Sequence, residues 1–368
     1  MKRIFTVLTS IALTFALSFS AAFANDDAFL KSQNYLKTIT LDGPDAVIAY
    51  EATGMEADYK ADALLNNFKE TDYTTASYGD LAKSIIAISL LGENPKDFNK
   101  INLVEILENR VQEDGTLTND VNGGCGATIW TLMALETVNS PKVKAVADKL
   151  STMAMDNGAY WYEYKGPNAD LDTTGWAMEA LSVAGRSIYE AAISKAYTFV
   201  QSKLNSTDGY YDNWGGNADT QSCVLEGLSV AGYTLDTNAY NYLLSYQNED
   251  GTFNALNYST GQLEPNAYAS VEGARALGVI NNGSFVLKAR KDYTKTTTPV
   301  VTEPETPTTP TKPSTTTPAV KPETTTTEPK KETVKVVNTG DNTNVMAYVV
   351  AAIAAVGVIV LVIKSKKK

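Results

Sequence analysis

Between about Ala46 and Ile280 the chain alternates two kinds of apolar pattern. One is amphipathic. Apolar residues recur at a helical period along stretches such as Ala192 to Leu204 and Ala239 to Tyr246. The other is small and apolar nearly all round, as in Gly175-Trp176-Ala177-Met178-Glu179-Ala180-Leu181, and it ends at a glycine, here Gly185. The first pattern predicts a helix with one wet face. The second predicts a helix covered on every side.

The pair recurs at a spacing of about 46 residues. Leu171 to Gly185 is matched by Asp219-Thr220 and Glu226 to Gly232, and again by Glu272 to Gly278. Upstream, Trp130 stands at the place of Trp176, and Ala134-Leu135 at that of Ala180-Leu181. Ile85 to Gly92 and Ala46 to Gly54 are weaker copies. Between the helices a second element repeats: Gln112-Glu113-Asp114-Gly115, Asp156-Asn157-Gly158, Thr207-Asp208-Gly209 and Gln247-Asn248-Glu249-Asp250-Gly251-Thr252-Phe253. Asp-Gly and Asn-Gly mark turns. Six hairpins, twelve helices, follow. The expected fold is all-α, an α6/α6 toroid of six helical hairpins, because closure buries the apolar flanks of the first and last units. An open solenoid is the alternative.

The two ends follow other patterns. Lys2 and Arg3 precede an apolar run from Ile4, and Ala22-Phe23-Ala24 offers small residues at a cleavage site, so 1–24 reads as a signal peptide. Residues 25–292 form the expected toroid domain. Residues 293–344 are Thr, Pro, Lys and Glu and hold most of the 13 Pro, so they read as a disordered cell-wall stalk. Val345 to Ile363 carries no charge, and as a helix would rise about 29 Å, the thickness of a bilayer core. The Lys tail 364–368 stays cytoplasmic by the positive-inside rule.

Composition narrows the chemistry. There is no His, which removes Ser-His-Asp and Cys-His nucleophilic sites and any imidazole metal site, so no metal is expected. The two Cys, Cys125 and Cys223, exclude a disulfide-rich scaffold. Outside the cell they could pair, but the third and fifth units are not neighbours, which argues against a bond. The net charge of −11 argues against nucleic acid as a partner.

Two resemblances follow from these residues. Val336-Val337-Asn338-Thr339-Gly340 before an apolar helix and a Lys tail resembles a sortase sorting signal of Gram-positive bacteria. The signal's usual Leu-Pro is absent, so attachment through Thr339 at the bond to Gly340 and retention of the membrane helix both stay open. The Gln-x-x-Asp-Gly-x-aromatic turn at Gln247, with Asp172-Thr173 before Ala177 and Ala180-Leu181, resembles the repeats of the terpenoid cyclase and protein prenyltransferase superfamily. That resemblance implies the toroid. It does not fix the chemistry, because cyclases, transferases and ligand carriers share it.

Asp170-Leu171-Asp172-Thr173 resembles the Asp-x-Asp-Asp acid of class II terpene cyclases, with Thr173 where the last Asp belongs. Asp170 and Asp172 are therefore weak catalytic candidates. The competing reading makes Asp172 an N-cap, repeated by Asp219 in the next unit. Glu179, Glu226 and Glu272 recur by repeat, which points to a structural role rather than a glycosidase pair. Asp172 to Ala177 is also similar to cobalamin carriers, so cobalamin is a possible ligand, although the small β domain that closes those sites has no counterpart after Ile280. Tyr160, Trp161, Tyr211 and Trp214, with Trp130 and Trp176 and the carboxylates of Asp172 and Asp219, are the candidate ligand contacts. Tyr and Trp suit a flat ligand or a sugar ring. The bland alternative packs them on the turns. The chain thus reads as an exported, surface-anchored binding module for a small or planar ligand. An extracellular enzyme of the toroid class is the alternative.

Overall fold

The computed structural model describes residues 27–56, 61–120, 123–162, 168–211 and 216–297. The expected signal peptide, the stalk beyond Thr297, the sorting residues Thr339 and Gly340, and the membrane helix lie outside them. Within them the protein is mostly helical.

Six helices carry the small apolar pattern: α2 (Pro44–Ala52), α4 (Tyr78–Leu90), α6 (Cys125–Thr137), α8 (Leu171–Gly185), α10 (Ala218–Val230) and α12 (Ala267–Asn282). Six amphipathic helices alternate with them: α1 (Asp27–Thr38), α3 (Ala61–Glu70), α5 (Leu103–Asn109), α7 (Val143–Thr152), α9 (Glu190–Ser202) and α11 (Thr237–Ser245). The chemistry of the two sets explains their places. In α6 every residue but Ala127 is buried, which only a helix covered on all sides can satisfy. In α7 only Val146, Ala147 and Leu150 are buried, one stripe of an otherwise wet helix.

Polar residues start these helices. Asn102, Asp170, Asn217, Asp236 and Asn266 are extended N-caps whose side chains accept the backbone N–H three residues on. Asp170 is therefore the cap of α8, accepting from Thr173 N at 2.7 Å. This corrects the sequence reading, which placed the cap at Asp172. Asp170 has the extended backbone a cap needs, whereas Asp172 is already the second residue of the helix.

The apolar helices pack in order, α2 on α4, α4 on α6, α6 on α8, α8 on α10 and α10 on α12, and α12 packs back on α2. At that last contact Asn282 Nδ2 donates to Ala52 O at 2.9 Å. Gly227 of α10 lies against Gly175 of α8 so closely that a Cβ would stand 2.1 Å from the Gly175 carbonyl.

Each Gly turn leans on the amphipathic helix of the following unit. Gly115 faces the Ala145 carbonyl, Gly158 the Lys195 carbonyl and Gly251 the Lys31 carbonyl. Gly251 thus joins the last unit to the first. Its φ of +85° and the 2.1 Å from a would-be Cβ to Lys31 O leave no room for a side chain. Gln247 Nε2 strengthens the junction, donating to Ala28 O and Ser32 Oγ, both at 2.9 Å.

Two features go beyond the periodicity. A hairpin of β3 (Phe253–Asn257) and β4 (Gln262–Asn266) precedes α12, with Leu256 paired to Leu263. It follows a two-residue pair, β1 (Leu204–Asn205) and β2 (Gly209–Tyr210). A thirteenth helix, α13 (Phe285–Thr297), carries the folded domain past residue 292, because Tyr293 is buried and Thr296 Oγ1 donates to Gly92 O at 3.0 Å. It packs on α2, α4 and α6. Lys288 Nζ donates to Glu51 Oε2 at 2.5 Å, and Arg290 pairs with Glu136. Among the described residues no helix is long and apolar enough to cross a membrane.

Candidate functional site

The first turns of neighbouring apolar helices lie side by side and line shared clefts. α8, α10 and α12 together frame a cleft of about 640 Å³. Asp170 and Asp172 come from the start of α8, Asn217 and Asp219 from the start of α10, Asn266 and Tyr268 from the start of α12. The β3–β4 hairpin adds Ala255, Leu256, Tyr258 and Leu263. Tyr246 closes the wall and is itself fixed, donating to Gly216 O at 2.9 Å. Among the described lining residues there is no basic side chain beside the three carboxylates.

Asp170 is engaged as the cap, and its Oδ1 also accepts from Thr173 Oγ1 at 2.5 Å. Asp219 differs. Its Oδ1 is buried and has no hydrogen-bond partner among the described residues. Burial raises its carboxyl above the usual range, against the opposing pull of Arg275. On the hairpin, Tyr258 is 82% exposed, and Leu256 and Leu263 are also exposed.

Beneath this cleft lies a buried ionic cluster that absorbs the recurring glutamates. Arg275 of α12, only 1% exposed, donates from Nε to both oxygens of Glu226 on α10, at 3.2 and 3.0 Å. Its second guanidinium nitrogen lies 3.6 Å from Glu272. Glu179 on α8 accepts from Ser284 Oγ at 3.1 Å, and burial with the neighbouring Glu226 pushes its carboxyl well above the usual range. One guanidinium pairs with two carboxyls, Glu226 and Glu272. These glutamates tie α8, α10 and α12 together and face no solvent, so a glycosidase pair at these positions has no access to substrate.

The predicted aromatic contacts separate. Tyr160 is wholly buried, its N–H bonded to Thr174 Oγ1 at 2.9 Å, so it packs on the turn and cannot touch a ligand. Trp161 is half-buried against the core. Trp176 is 7% exposed and meets Trp130 edge-on at 5.7 Å. Trp130 also stacks on Phe285 of α13 at 6.3 Å and carries Lys83 Nζ 4.7 Å over its ring. It lines a second cleft, of about 530 Å³, at the starts of α4 and α6. Tyr211 is exposed but lines neither cleft. Trp214 lies outside the described residues. Cys125 and Cys223 are free and buried. Among the described residues no cluster of His, Cys, Asp or Glu could hold a metal ion.

The sequence reading missed Tyr246, Tyr258, Tyr268, Leu256 and Leu263. The signal for three of them was present. Tyr258-Ser259-Thr260-Gly261 is a turn between two short extended runs, which is a hairpin pattern.

The repeat fold and the cleft define a helical-repeat domain with a ligand-sized acidic hollow. Known proteins add little. No family profile and no curated protein matches the chain. Among solved structures, a crystal structure of a protein from Actinoplanes is similar over 71% of this chain and 98% of that one, with 13% identity and a TM-score of 0.47.

Proposed function

We propose that this protein is a cell-surface binding module whose six hairpins close into an α/α toroid, and whose acidic cleft holds a neutral or amine-bearing carbohydrate. The closed toroid is supported by the return of α12 onto α2 and by the Gly251 junction with α1. The carbohydrate reading rests on one observation, the lining of the cleft. Carboxylates, amides and tyrosine hydroxyls accept hydrogen bonds from sugar hydroxyls, tyrosine rings cover a sugar face, and among the described lining residues there is no cation to draw a phosphate or carboxylate. A corrinoid such as cobalamin suits the site less, because it needs broad apolar cover and a single hairpin supplies the apolar wall. Export, the Pro/Thr stalk, and anchoring by the apolar helix or through Thr339 complete the proposal, with membrane or cell wall as the attachment and no nucleic acid as partner.

The test is binding by the purified full chain in detergent to an immobilised panel of neutral, amino and acidic oligosaccharides. Neutral or amino sugars bind, acidic ones do not, and Asp219→Asn weakens binding roughly tenfold or more. Absence of binding across the panel, or binding indifferent to both Asp219→Asn and Tyr258→Ala, overturns the reading.

One observation favours a second reading at the same cleft, glycoside cleavage. The raised carboxyl of Asp219 has the direction a general acid requires, and Asp172 shares its cleft. Release of reducing ends by the wild type but not by Asp219→Asn would establish it.

A further inference from the structure

The second cleft is built differently from the first. Its walls are Tyr78 at the start of α4, Trp130 on α6, and Tyr162 from the loop before α8. Its rim carries Thr74, Thr75, Ser77, Asn109 and Asn119. The charged side chain of Arg110 is already engaged, since it donates to Ala76 O at 2.7 Å and to Tyr73 O and Thr74 O at 3.0 Å. The Tyr78 hydroxyl is likewise fixed, its one proton held between Thr118 O at 2.6 Å and Arg110 O at 3.0 Å. What remains for a ligand is aromatic surface, amides and hydroxyls around about 530 Å³, with Asp120 at the edge. Tyr162 offers the most of that surface, at 48% exposed.

Aromatic contacts link the wall of the second cleft to α8 through the buried Trp176, which itself lines neither cleft. Trp176 of α8 meets Trp130 edge-on at 5.7 Å and Tyr162 edge-on at 6.2 Å. The first turn of the same helix holds Asp170 and Asp172 in the acidic cleft. The aromatic wall of one cleft therefore runs onto the helix that begins the other.

We infer that the second cleft is a distal subsite and that the ligand is a linear glycan of several rings, one end in the acidic cleft and a later ring against Tyr162 and Tyr78. This rests on the carbohydrate reading above and adds a length requirement to it. A chain that fills both clefts gains affinity by linkage, because the second contact is made at high effective concentration. A ligand that reaches only one cleft gains nothing.

The experiment is calorimetry of the full chain in detergent with N-acetylglucosamine oligomers of increasing length, from the monomer upward. The dissociation constant should fall roughly tenfold or more at one threshold length and then level off. Tyr162→Ala should remove that step and leave short oligomers unaffected. Ala127→Gln, which narrows the cleft from the α6 side and leaves the Tyr162 side chain in place, should do the same, so a folding defect of the first variant does not decide the outcome. A smooth or absent length dependence, identical in wild type and both variants, overturns the distal subsite while leaving the acidic cleft intact. No binding at any length, together with an empty panel in the preceding test, overturns both.

Discussion

The two aspartates that open α8 show how position within a single turn separates roles. Asp170 stands outside the helix, in extended backbone, and its carboxylate closes onto the N–H and hydroxyl of Thr173. Asp172 stands inside the first turn, near the positive end of the helix dipole. Both line the cleft, but only the first closes the helix start. Asp170→Ala should lower the unfolding free energy by about 1 kcal/mol, read from urea titration, and Asp170→Asn should recover most of it. If both variants are as stable as the wild type, the capping assignment fails.

Among the elements, the Gly turns make the repeat into one structure. Each turn ends an amphipathic helix, passes under the next one, and delivers a buried side chain such as Tyr160, Tyr210 or Phe253 beside the following apolar helix. The backbone N–H groups of those three residues are held by Thr174, Gln221 and Ser270. The turn at Gly251 does this between the last unit and the first. Gly251→Ala meets both a positive φ and the Lys31 carbonyl, and should cost about 2 kcal/mol or more of stability. Gly261→Ala has the same kind of φ, with nothing within 4 Å of the added carbon, and serves as the control at about 1 kcal/mol. Equal costs in the two variants would mean that the junction with α1 contributes nothing.

Over the whole molecule, the buried cluster links stability to pH. Burial pushes the Glu272 carboxyl up from 4.5 to about 7, although Arg275 pulls it down and Tyr268 lies within hydrogen-bonding range. A carboxyl raised in the folded state stabilises fully below its unfolded value and loses that contribution as pH rises through its folded value. The domain should therefore lose about 3 kcal/mol from this group between pH 4.5 and about 7. Glu272→Gln should flatten that part of the profile relative to the wild type, measured by thermal melts in a pH series. Parallel profiles would show that Glu272 does not titrate in the folded protein. The same cluster neighbours the acidic cleft through Tyr268 and Asp219.

The amino-acid pattern alone determined the helices, their alternation and the turns. Burial leaves a period-dependent trace in residue size and polarity, and a repeated unit writes that trace several times. It also marked Asp172, Asp219 and Trp130 as residues at helix starts, and two of these share the acidic cleft. It could not say which aromatics face solvent. Tyr160 and Tyr162 are two residues apart in one loop, yet one is wholly buried and the other about half exposed, because only the packing of the neighbouring hairpin decides which ring it covers. Nor could it find the pairing of Arg275 with Glu226, since those residues lie a full unit apart. The cleft itself is assembled from the first turns of three successive hairpins and a strand pair, and no local pattern encodes a space between elements. Tertiary structure decided that, by placing side chains that are distant in the chain around one hollow.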